Sequence, residues 1–177
     1  TYISFMKKLI LFLLLFTFVK VHGQNSAIYI IPQPVMLQQT GGNYVVTAKS
    51  AVGYNNPKSR LIAEMLVQKL NTSTGFSIKA EQNNSGTVQL NLNTNTDPQI
   101  GKEGYILVSS PRGVVITANE TAGLFYGMQT LLQLLPKEIV SKSPVQADWT
   151  IPGVKITDYP RFAWRGIKSI FTVREGI

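Results

Sequence analysis

Carboxylates are the main candidates for chemistry in this sequence, because the other usual catalytic side chains are scarce. The chain has no cysteine, and its single histidine, His22, lies in an apolar leader at the amino end. These counts exclude a Ser-His-Asp triad, a Cys-His pair and a histidine metal site from the residues after the leader. The acidic residues stand apart, mostly at the borders of predicted elements: Glu64, Glu81, Asp97, Glu103 and Glu120. The sequence therefore predicts no catalytic residue, no metal site and no cofactor.

The segment DYPRFAWRG, Asp158 to Gly166, is the other distinctive group of residues. It places two arginines, a phenylalanine and a tryptophan directly after a stretch that reads as a strand, eleven residues before the sequence stops. Two interpretations are open at this point. The segment is either the end of a small domain or the first strand of a larger structure.

Residues 1–23 are predicted to be an upstream extension followed by a signal peptide. Lys7 and Lys8 precede an apolar run, Leu9 to Val19, and small residues lead to a cleavage point between Gly23 and Gln24. A membrane span is the alternative, but it needs about 20 apolar residues. The leader predicts export to the periplasm, the cell surface or the extracellular space, with no membrane association after cleavage.

The positive charge does not indicate a nucleic-acid partner. Three of the 17 basic residues lie in the leader, which leaves 14 against nine acidic residues. The remaining bases are scattered singly, whereas a nucleic-acid surface clusters them on one face. A solvated basic surface is the favoured interpretation.

Residues 24–157 predict one small α+β domain. Helical spacing of Leu61, Ile62, Met65, Leu66 and Leu70 indicates a helix that ends at Gly75. Val88, Leu90 and Leu92 alternate with polar residues, as in a strand whose polar side chains point outward. Tyr105–Ser109 and Val114–Thr117 flank the turn SPRG and form a hairpin. Residues 151–156 form either a last strand or an extended connector. The expected architecture is a small mixed or antiparallel sheet with two helices packed on one face.

The second helix is predicted in NETAGLFYGMQTLLQLLP, with Asn119 or Thr121 as its cap and Pro136 as its stop. Gly123 and Gly127 share a face of this helix, although each costs roughly 1 kcal/mol relative to alanine. They lie inside the helix and not before it, which argues against a phosphate-binding loop. The two glycines therefore predict close packing against the sheet.

Two segments carry a resemblance to a known family. The stretch from Glu103 to Pro136 and the stretch from Ile151 to Gly166 resemble the N-terminal half of a glycoside hydrolase family 20 β-N-acetylhexosaminidase. The helix pattern A-G-x-F-Y-G-x-Q-T-L-x-Q-L is matched by Ala122, Gly123, Phe125, Tyr126, Gly127, Gln129, Thr130, Leu131, Gln133 and Leu134. The pattern D-x-P-R-F-x-W-R-G is matched by Asp158, Pro160, Arg161, Phe162, Trp164, Arg165 and Gly166. The resemblance covers about residues 30–166.

The resemblance implies a non-catalytic domain at 24–157, followed at 158–177 by the first strand of a truncated (β/α)8 barrel. Arg161 and Arg165 are then expected to form structural ion pairs at the domain junction, with Asp158 as a candidate partner. Phe162 and Trp164, like Phe125 and Tyr126, are expected to be core residues. The predicted structural residues of the junction are Asp158, Arg161, Trp164, Arg165 and Gly166.

The activity implied by the resemblance is removal of terminal β-linked N-acetylglucosamine or N-acetylgalactosamine from glycans. In this family the 2-acetamido oxygen of the substrate attacks the anomeric carbon, a glutamate protonates the leaving oxygen, and an adjacent aspartate orients the acetamido group. No Asp-Glu dipeptide occurs here. The chain by itself is therefore expected to be inactive, with the missing barrel as its partner in cis.

The tail departs from the family pattern. After W-R-G the family continues roughly as G-x-x-x-D-x-x-R-H, whereas this sequence has Ile170 and Val173 at the aspartate and arginine positions. A frameshift or a broken gene model near Ile167 is the hypothesis that explains the difference. A stand-alone secreted glycan-binding or interaction module is the alternative function, although an apolar segment left unpaired at its end would be an exposed edge.

Overall fold

A computed structural model describes residues 28–162 of the chain. The signal peptide predicted for residues 1–23, and Trp164, Arg165 and Gly166 of the predicted junction, lie outside the described residues. The two helices are α1 (Arg60–Thr74) and α2 (Thr121–Leu134), and single turns of 3₁₀ helix lie at Pro57–Ser59 and Lys137–Val140. The strands are β1 (Met36–Val45), β2 (Val52–Tyr54), β3 (Ala80–Glu81), β4 (Val88–Leu92), β5 (Tyr105–Ser110), β6 (Gly113–Ala118) and β7 (Thr150–Asp158).

The strands form one mixed sheet in the order β1-β7-β5-β6-β4-β2-β3. The pairs β1–β7, β7–β5 and β5–β6 are antiparallel, whereas the pairs β6–β4, β4–β2 and β2–β3 are parallel. The mixed sheet with two helices and the predicted hairpin are confirmed. The segment left open as a strand or a connector is β7, which lies inside the sheet between β1 and β5.

Both helices share one core with one face of the sheet. Along β5 and β6 the buried residues alternate with more exposed ones, so that Leu107 and Ile116 are buried while Val108 and Val115 remain over a third exposed. The helices contact each other as well as the strands, and residues of both belong to a single apolar cluster. Within residues 28–162, neither helix has the length and apolar character required to cross a bilayer.

Helix α1 is confirmed where the spacing of its apolar residues predicts it, and it buries three of those five residues. Ile62, Leu66 and Leu70 are buried, but Leu61 is 67% exposed and Met65 is 39% exposed. Leu61 and Met65 lie about 100° around the helix from Ile62 and Leu66, which places them at the edge of the buried stripe. The helix ends as predicted at Gly75, whose left-handed φ of 74° favours glycine.

Strand β4 also departs from the predicted alternation. Val88, Leu90 and Leu92 are buried as expected, but Gln89 is only 7% exposed. Its side chain lies over Gly53 of the neighbouring strand and donates a 3.0 Å hydrogen bond to the carbonyl oxygen of Gly86. Because Gly53 has no side chain, the sheet leaves room there for the polar side chain to lie flat.

Helix α2 packs through its glycines, as predicted. A Cβ atom at Gly123 would overlap the carbonyl oxygen of Gly104, and one at Gly127 would lie 2.5 Å from Cγ2 of Ile116. The predicted cap is wrong, because Glu120 occupies the N-cap position without a side-chain hydrogen bond. The carboxamide of Asn119 is engaged elsewhere: it accepts from the Asp97 amide at 2.8 Å and donates to the carbonyl of Gly101 at 2.6 Å.

Candidate functional site

The candidate site is a groove at the place where the described chain ends. It has a volume of about 640 Å³. We call it the exit groove and define it by side chains of the entry segment (residues 30–35), of α2 and of the exit segment (residues 158–162). Its lining residues are Ile30, Ile31, Pro32, Gln33, Glu103, Tyr105, Tyr126, Gln129, Thr130, Gln133, Asp158, Tyr159, Pro160, Arg161 and Phe162.

Helix α2 supplies one wall of the exit groove. Tyr126, Gln129 and Gln133 are spaced by three and four residues and therefore share one face of the helix. That face is separate from the one that carries Gly123 and Gly127. The family pattern recognised in the sequence therefore divides into a packing face and a groove face.

The entry segment is held on the groove by side chains from α2 and β7. The Gln133 carboxamide accepts a hydrogen bond from the amide of Ile31 at 2.9 Å and donates one to the carbonyl of Ile31 at 3.0 Å. A carboxylate oxygen of Asp158 accepts from the amide of Val35 at 3.1 Å. Two distant parts of the chain thus fix residues 31–35 in place.

Tyr105 forms the buried floor of the groove. Its hydroxyl lies 2.5 Å from Oγ1 of Thr130 on α2, and its side chain is only 2% exposed. Burial, with a smaller contribution from the negative charge of Asp158, raises the pKa of Tyr105 to about 12, although the hydrogen bond with Thr130 opposes that rise. The phenol therefore stays neutral and serves as a structural group.

Asp158 and Arg161 both line the groove, but no ion pair joins them in the part of the chain that the structure describes. There the ion pair is Arg60 with Glu64, at 2.7 Å on the surface of α1. Asp158 ends β7 and accepts its hydrogen bond from the Val35 backbone. The structural role of the five predicted junction residues stays a prediction.

Two of the residues expected in a core lie at the groove surface. Tyr126 is 38% exposed, so the expectation is wrong for this residue. Phe162 is 74% exposed in the described chain, and its expected place in the core of the barrel stays a prediction. Phe125 is partly buried and packs against the core.

Sequence reasoning missed Gln129 and Gln133 as groove residues. Their spacing from Tyr126 was the available signal, but periodicity alone cannot tell which exposed face meets a cavity.

The groove combines aromatic rings, side-chain amides and the two carboxylates of Glu103 and Asp158. This set of groups suits binding of a polypeptide or a polar molecule. Over residues 28–162, acidic side chains do not gather in threes that could hold a metal ion.

The comparisons with known proteins agree on one family. The family model described as glycosyl hydrolase family 20, domain 2, matches residues 27–159. The chain is 37% identical over 150 residues to the β-hexosaminidase of Porphyromonas gingivalis, covering 84% of this chain and 19% of that protein. It is 29% identical to the β-N-acetylhexosaminidase of Cellulomonas fimi, covering 81% of this chain and 29% of that protein.

The fold matches solved structures as well. The N-acetyl-β-hexosaminidase of Streptomyces plicatus, in complex with thio-NAglucal, aligns with a TM-score of 0.72 at 36% identity, covering 77% of this chain and 27% of that one. The chain thus spans roughly a fifth to under a third of the length of these proteins. Because the family model matches most of the chain and its residues include the mixed sheet, both helices and most of the groove, the chain belongs to glycosyl hydrolase family 20.

Proposed function

We propose that this chain is the non-catalytic domain of an exported exo-β-N-acetylhexosaminidase that acts on glycans ending in N-acetylglucosamine or N-acetylgalactosamine. The observation that carries the proposal is the match of residues 27–159 to domain 2 of the family, supported by β-hexosaminidases among the relatives. The catalytic barrel is the partner in cis, and its first strand is proposed to begin at residue 158.

The exit groove is the surface proposed to face that barrel. The chain leaves the described domain there, and Phe162 is 74% exposed at the point of departure. An aromatic side chain of this size exposed beside Tyr126 and Tyr159 is a normal feature of a surface that another domain covers.

The proposed mechanism is the substrate-assisted, retaining one. The acetamido oxygen of the substrate attacks the anomeric carbon while a glutamic acid protonates the leaving oxygen, and water then opens the oxazolinium intermediate. Both steps belong to barrel residues. The described domain contributes by supporting the barrel at the exit groove.

An activity assay tests the proposal. The chain alone should release no nitrophenol from 4-nitrophenyl N-acetyl-β-D-glucosaminide, whereas a longer product that includes a complete barrel should do so. Release of sugar by the chain alone would contradict the assignment of catalysis to the barrel. A longer product that binds no N-acetylhexosaminide and cleaves none would contradict the enzymatic function itself.

Export is proposed from the leader at residues 1–23. Expression in a bacterium with an intact secretion pathway should yield a protein whose amino end is Gln24, measured by mass spectrometry of the periplasmic fraction. Recovery of uncleaved chain in the membrane would favour the alternative of an anchoring span.

A stand-alone glycan-binding module is the second candidate function, and the composition of the exit groove favours it. Aromatic faces such as Tyr126 and amides such as Gln129 are groups that stack on sugars and hydrogen-bond their hydroxyls. Titration of N-acetylglucosamine oligosaccharides into the chain distinguishes the two functions. Saturable binding that is lost in Tyr126→Ala, and kept in the exposed control Leu61→Ala, would support the module.

A further inference from the structure

The face of the sheet opposite the helices, here called the open face, has an apolar centre. Side chains alternate along a strand, so the neighbours of the buried residues Leu107 and Ile116 point to the open face. Val108 and Val115 are partners in the register of β5 and β6, and they are 37% and 39% exposed. Two valines on the middle strands of the surface β7-β5-β6-β4 therefore lie outside the core that the helices share with the sheet.

Strand β4 brings hydrogen-bond acceptors to one flank of this centre. Gln89 and Asn91 alternate with the buried Leu90 and therefore point to the open face. The Oε1 atom of Gln89 and the Oδ1 atom of Asn91 are buried without a hydrogen-bond partner among the described residues. Because Nε2 of Gln89 donates to the carbonyl of Gly86, turning the carboxamide over would set two oxygens against each other. A buried acceptor normally has a donor, so this flank is complementary to a donor from outside the domain.

Strand β7 brings hydrogen-bond donors to the other flank. Lys155 and Thr157 alternate with the buried Ile156 and point to the open face, where Lys155 is exposed. An ammonium group only donates hydrogen bonds, and a hydroxyl group can donate one. The register arranges the donors, the centre and the acceptors in two rows across the four strands: Lys155, Val108, Val115 and Gln89 in one, and Thr157, Ile106, Thr117 and Asn91 in the other.

This order of donors and acceptors makes the open face complementary to a second copy of itself. A twofold axis that runs along the strands between β5 and β6 lays β7 of one copy over β4 of the other, and β5 over β6. Each row then meets the same row of the second copy in reverse, so that Lys155 lies opposite Gln89 and Thr157 opposite Asn91, twice in the dimer. An axis across the strands would instead bring the two copies of Lys155 together, which charge repulsion disfavours.

We propose that the open face is the contact surface of a symmetric dimer of this chain, in which two sheets pack face to face. Such sheets lie about 10 Å apart and cross at about 30°. Side chains at interfaces commonly change rotamer on binding, which brings the two buried oxygens to the donors of the second copy. The four strands span only about 15 Å, so the dimer is of the small, weak class that forms as the concentration rises. The proposal does not depend on the hexosaminidase function.

Site-specific cross-linking tests which surface makes the contact. The chain has no cysteine, so one introduced cysteine gives one cross-linking position per copy. Val115→Cys at the centre of the open face should yield a covalent dimer with a short bismaleimide. The matched control, Leu61→Cys, is exposed on α1 and should stay monomeric. Equal cross-linking of the two variants would overturn the proposal, because it would show association through another part of the chain.

Sedimentation equilibrium of charge variants tests the predicted opposition of donors and acceptors. Lys155→Glu sets a carboxylate opposite the acceptors of β4 and should raise the dimer dissociation constant at least about tenfold, as loss of a steering charge pair with gain of a repulsive one does. The control Lys58→Glu changes an exposed charge next to α1 and should leave the constant unchanged. Gln89→Lys should weaken the dimer as Lys155→Glu does, because it sets an ammonium group opposite Lys155.

An equimolar mixture of the Lys155→Glu and Gln89→Lys chains should dimerise again, because each introduced carboxylate then lies opposite an introduced ammonium group. No recovery in a mixture of two folded variants would overturn the proposal. If circular dichroism shows that Gln89→Lys does not fold, Lys155→Glu and the cross-linking decide. Unchanged dimerisation of Lys155→Glu would overturn the proposal, as would an unaltered chain that stays monomeric up to its solubility limit. None of these measurements uses hexosaminidase activity, so that the activity assay remains a separate result.

Discussion

Gln133 and Ile31 are 102 residues apart in sequence, yet the carboxamide of one forms two hydrogen bonds with the backbone of the other. The Oε1 atom accepts from the Ile31 amide at 2.9 Å, and Nε2 donates to the Ile31 carbonyl at 3.0 Å. Only a side chain with a donor and an acceptor held at this separation can satisfy both backbone groups. The pair is the direct link between the entry segment and the groove wall.

Replacing Gln133 by alanine removes both hydrogen bonds at once. We expect Gln133→Ala to lower the free energy of unfolding by about 1 kcal/mol, because these bonds lie at an exposed site where each is worth little. Urea denaturation followed by circular dichroism measures the change. Gln129→Ala, on the same face of α2, should stay within about 0.5 kcal/mol of the unaltered chain. Equal losses in both variants would show that the hydrogen bonds contribute nothing specific.

Gly123→Ala should destabilise the domain despite the better helix propensity of alanine. The new methyl group would overlap the carbonyl oxygen of Gly104, which is backbone and cannot rotate away. Overpacking costs typically about 1–3 kcal/mol, and alanine offsets about 1 kcal/mol of it through helix propensity. Denaturation midpoints test this, with Gln68→Ala on the exposed side of α1 as the control. A more stable Gly123→Ala chain would contradict the close contact.

Tyr105 predicts a loss of stability at alkaline pH. Its pKa is raised from 10.0 to about 12 in the folded chain, so the unfolded chain loses the proton first. The contribution is complete below pH 10 and is lost as the pH rises toward 12. At pH 11 the loss relative to pH 8 should reach about 1 kcal/mol for a shift of this size.

The variant Tyr105→Phe isolates this effect. Phenylalanine cannot ionise, so the part of the alkaline loss that comes from Tyr105 should disappear. At pH 8 the variant should be less stable by about 1 kcal/mol because the hydrogen bond to Thr130 is gone. Urea titrations at the two pH values provide the comparison. Identical pH slopes in the two chains would exclude Tyr105 as the source.

Asn119→Ala should destabilise the segment that connects β4 to β5. The Asn119 carboxamide joins this segment through the Asn93 side chain, the amide and carbonyl of Asp97 and the carbonyl of Gly101. We expect about 2 kcal/mol of destabilisation and faster hydrogen exchange of the Asp97 amide. The control Asn83→Ala removes a carboxamide from an exposed turn and should leave that amide protected. Unchanged exchange at Asp97 in Asn119→Ala would contradict the role of the carboxamide.

Local sequence patterns were sufficient to predict the helices and the hairpin. The spacing of Ile62, Leu66 and Leu70 defines α1, and Pro111 between two alternating segments defines the hairpin. These signals work because helix and strand periods are short and each residue meets neighbours a few positions away. The same spacing does not tell which apolar residues of α1 are buried, since the exposure of Leu61 and Met65 depends on what lies opposite them.

The long-range hydrogen bonds around the exit groove and around Asn119 could not be predicted from any local sequence pattern. Asp158 was singled out for a charge partner, but it accepts a hydrogen bond from the backbone of Val35, 123 residues earlier. Asn119 was proposed as a helix cap, but its carboxamide binds the segment around Asp97. In each case a short polar side chain had several possible partners, and the fold selected one.

The sequence by itself determined the family, the two helices, the hairpin and the need for glycine where α2 meets the sheet, because each depends on residue identity or on spacing within a few turns. Only the tertiary structure decided that β7 lies between β1 and β5, and that residues 30–33, 126–133 and 158–162 form one groove. The physical reason is that strand order and cavities arise from contacts between distant segments. Many arrangements of those contacts are compatible with the same local periodicity.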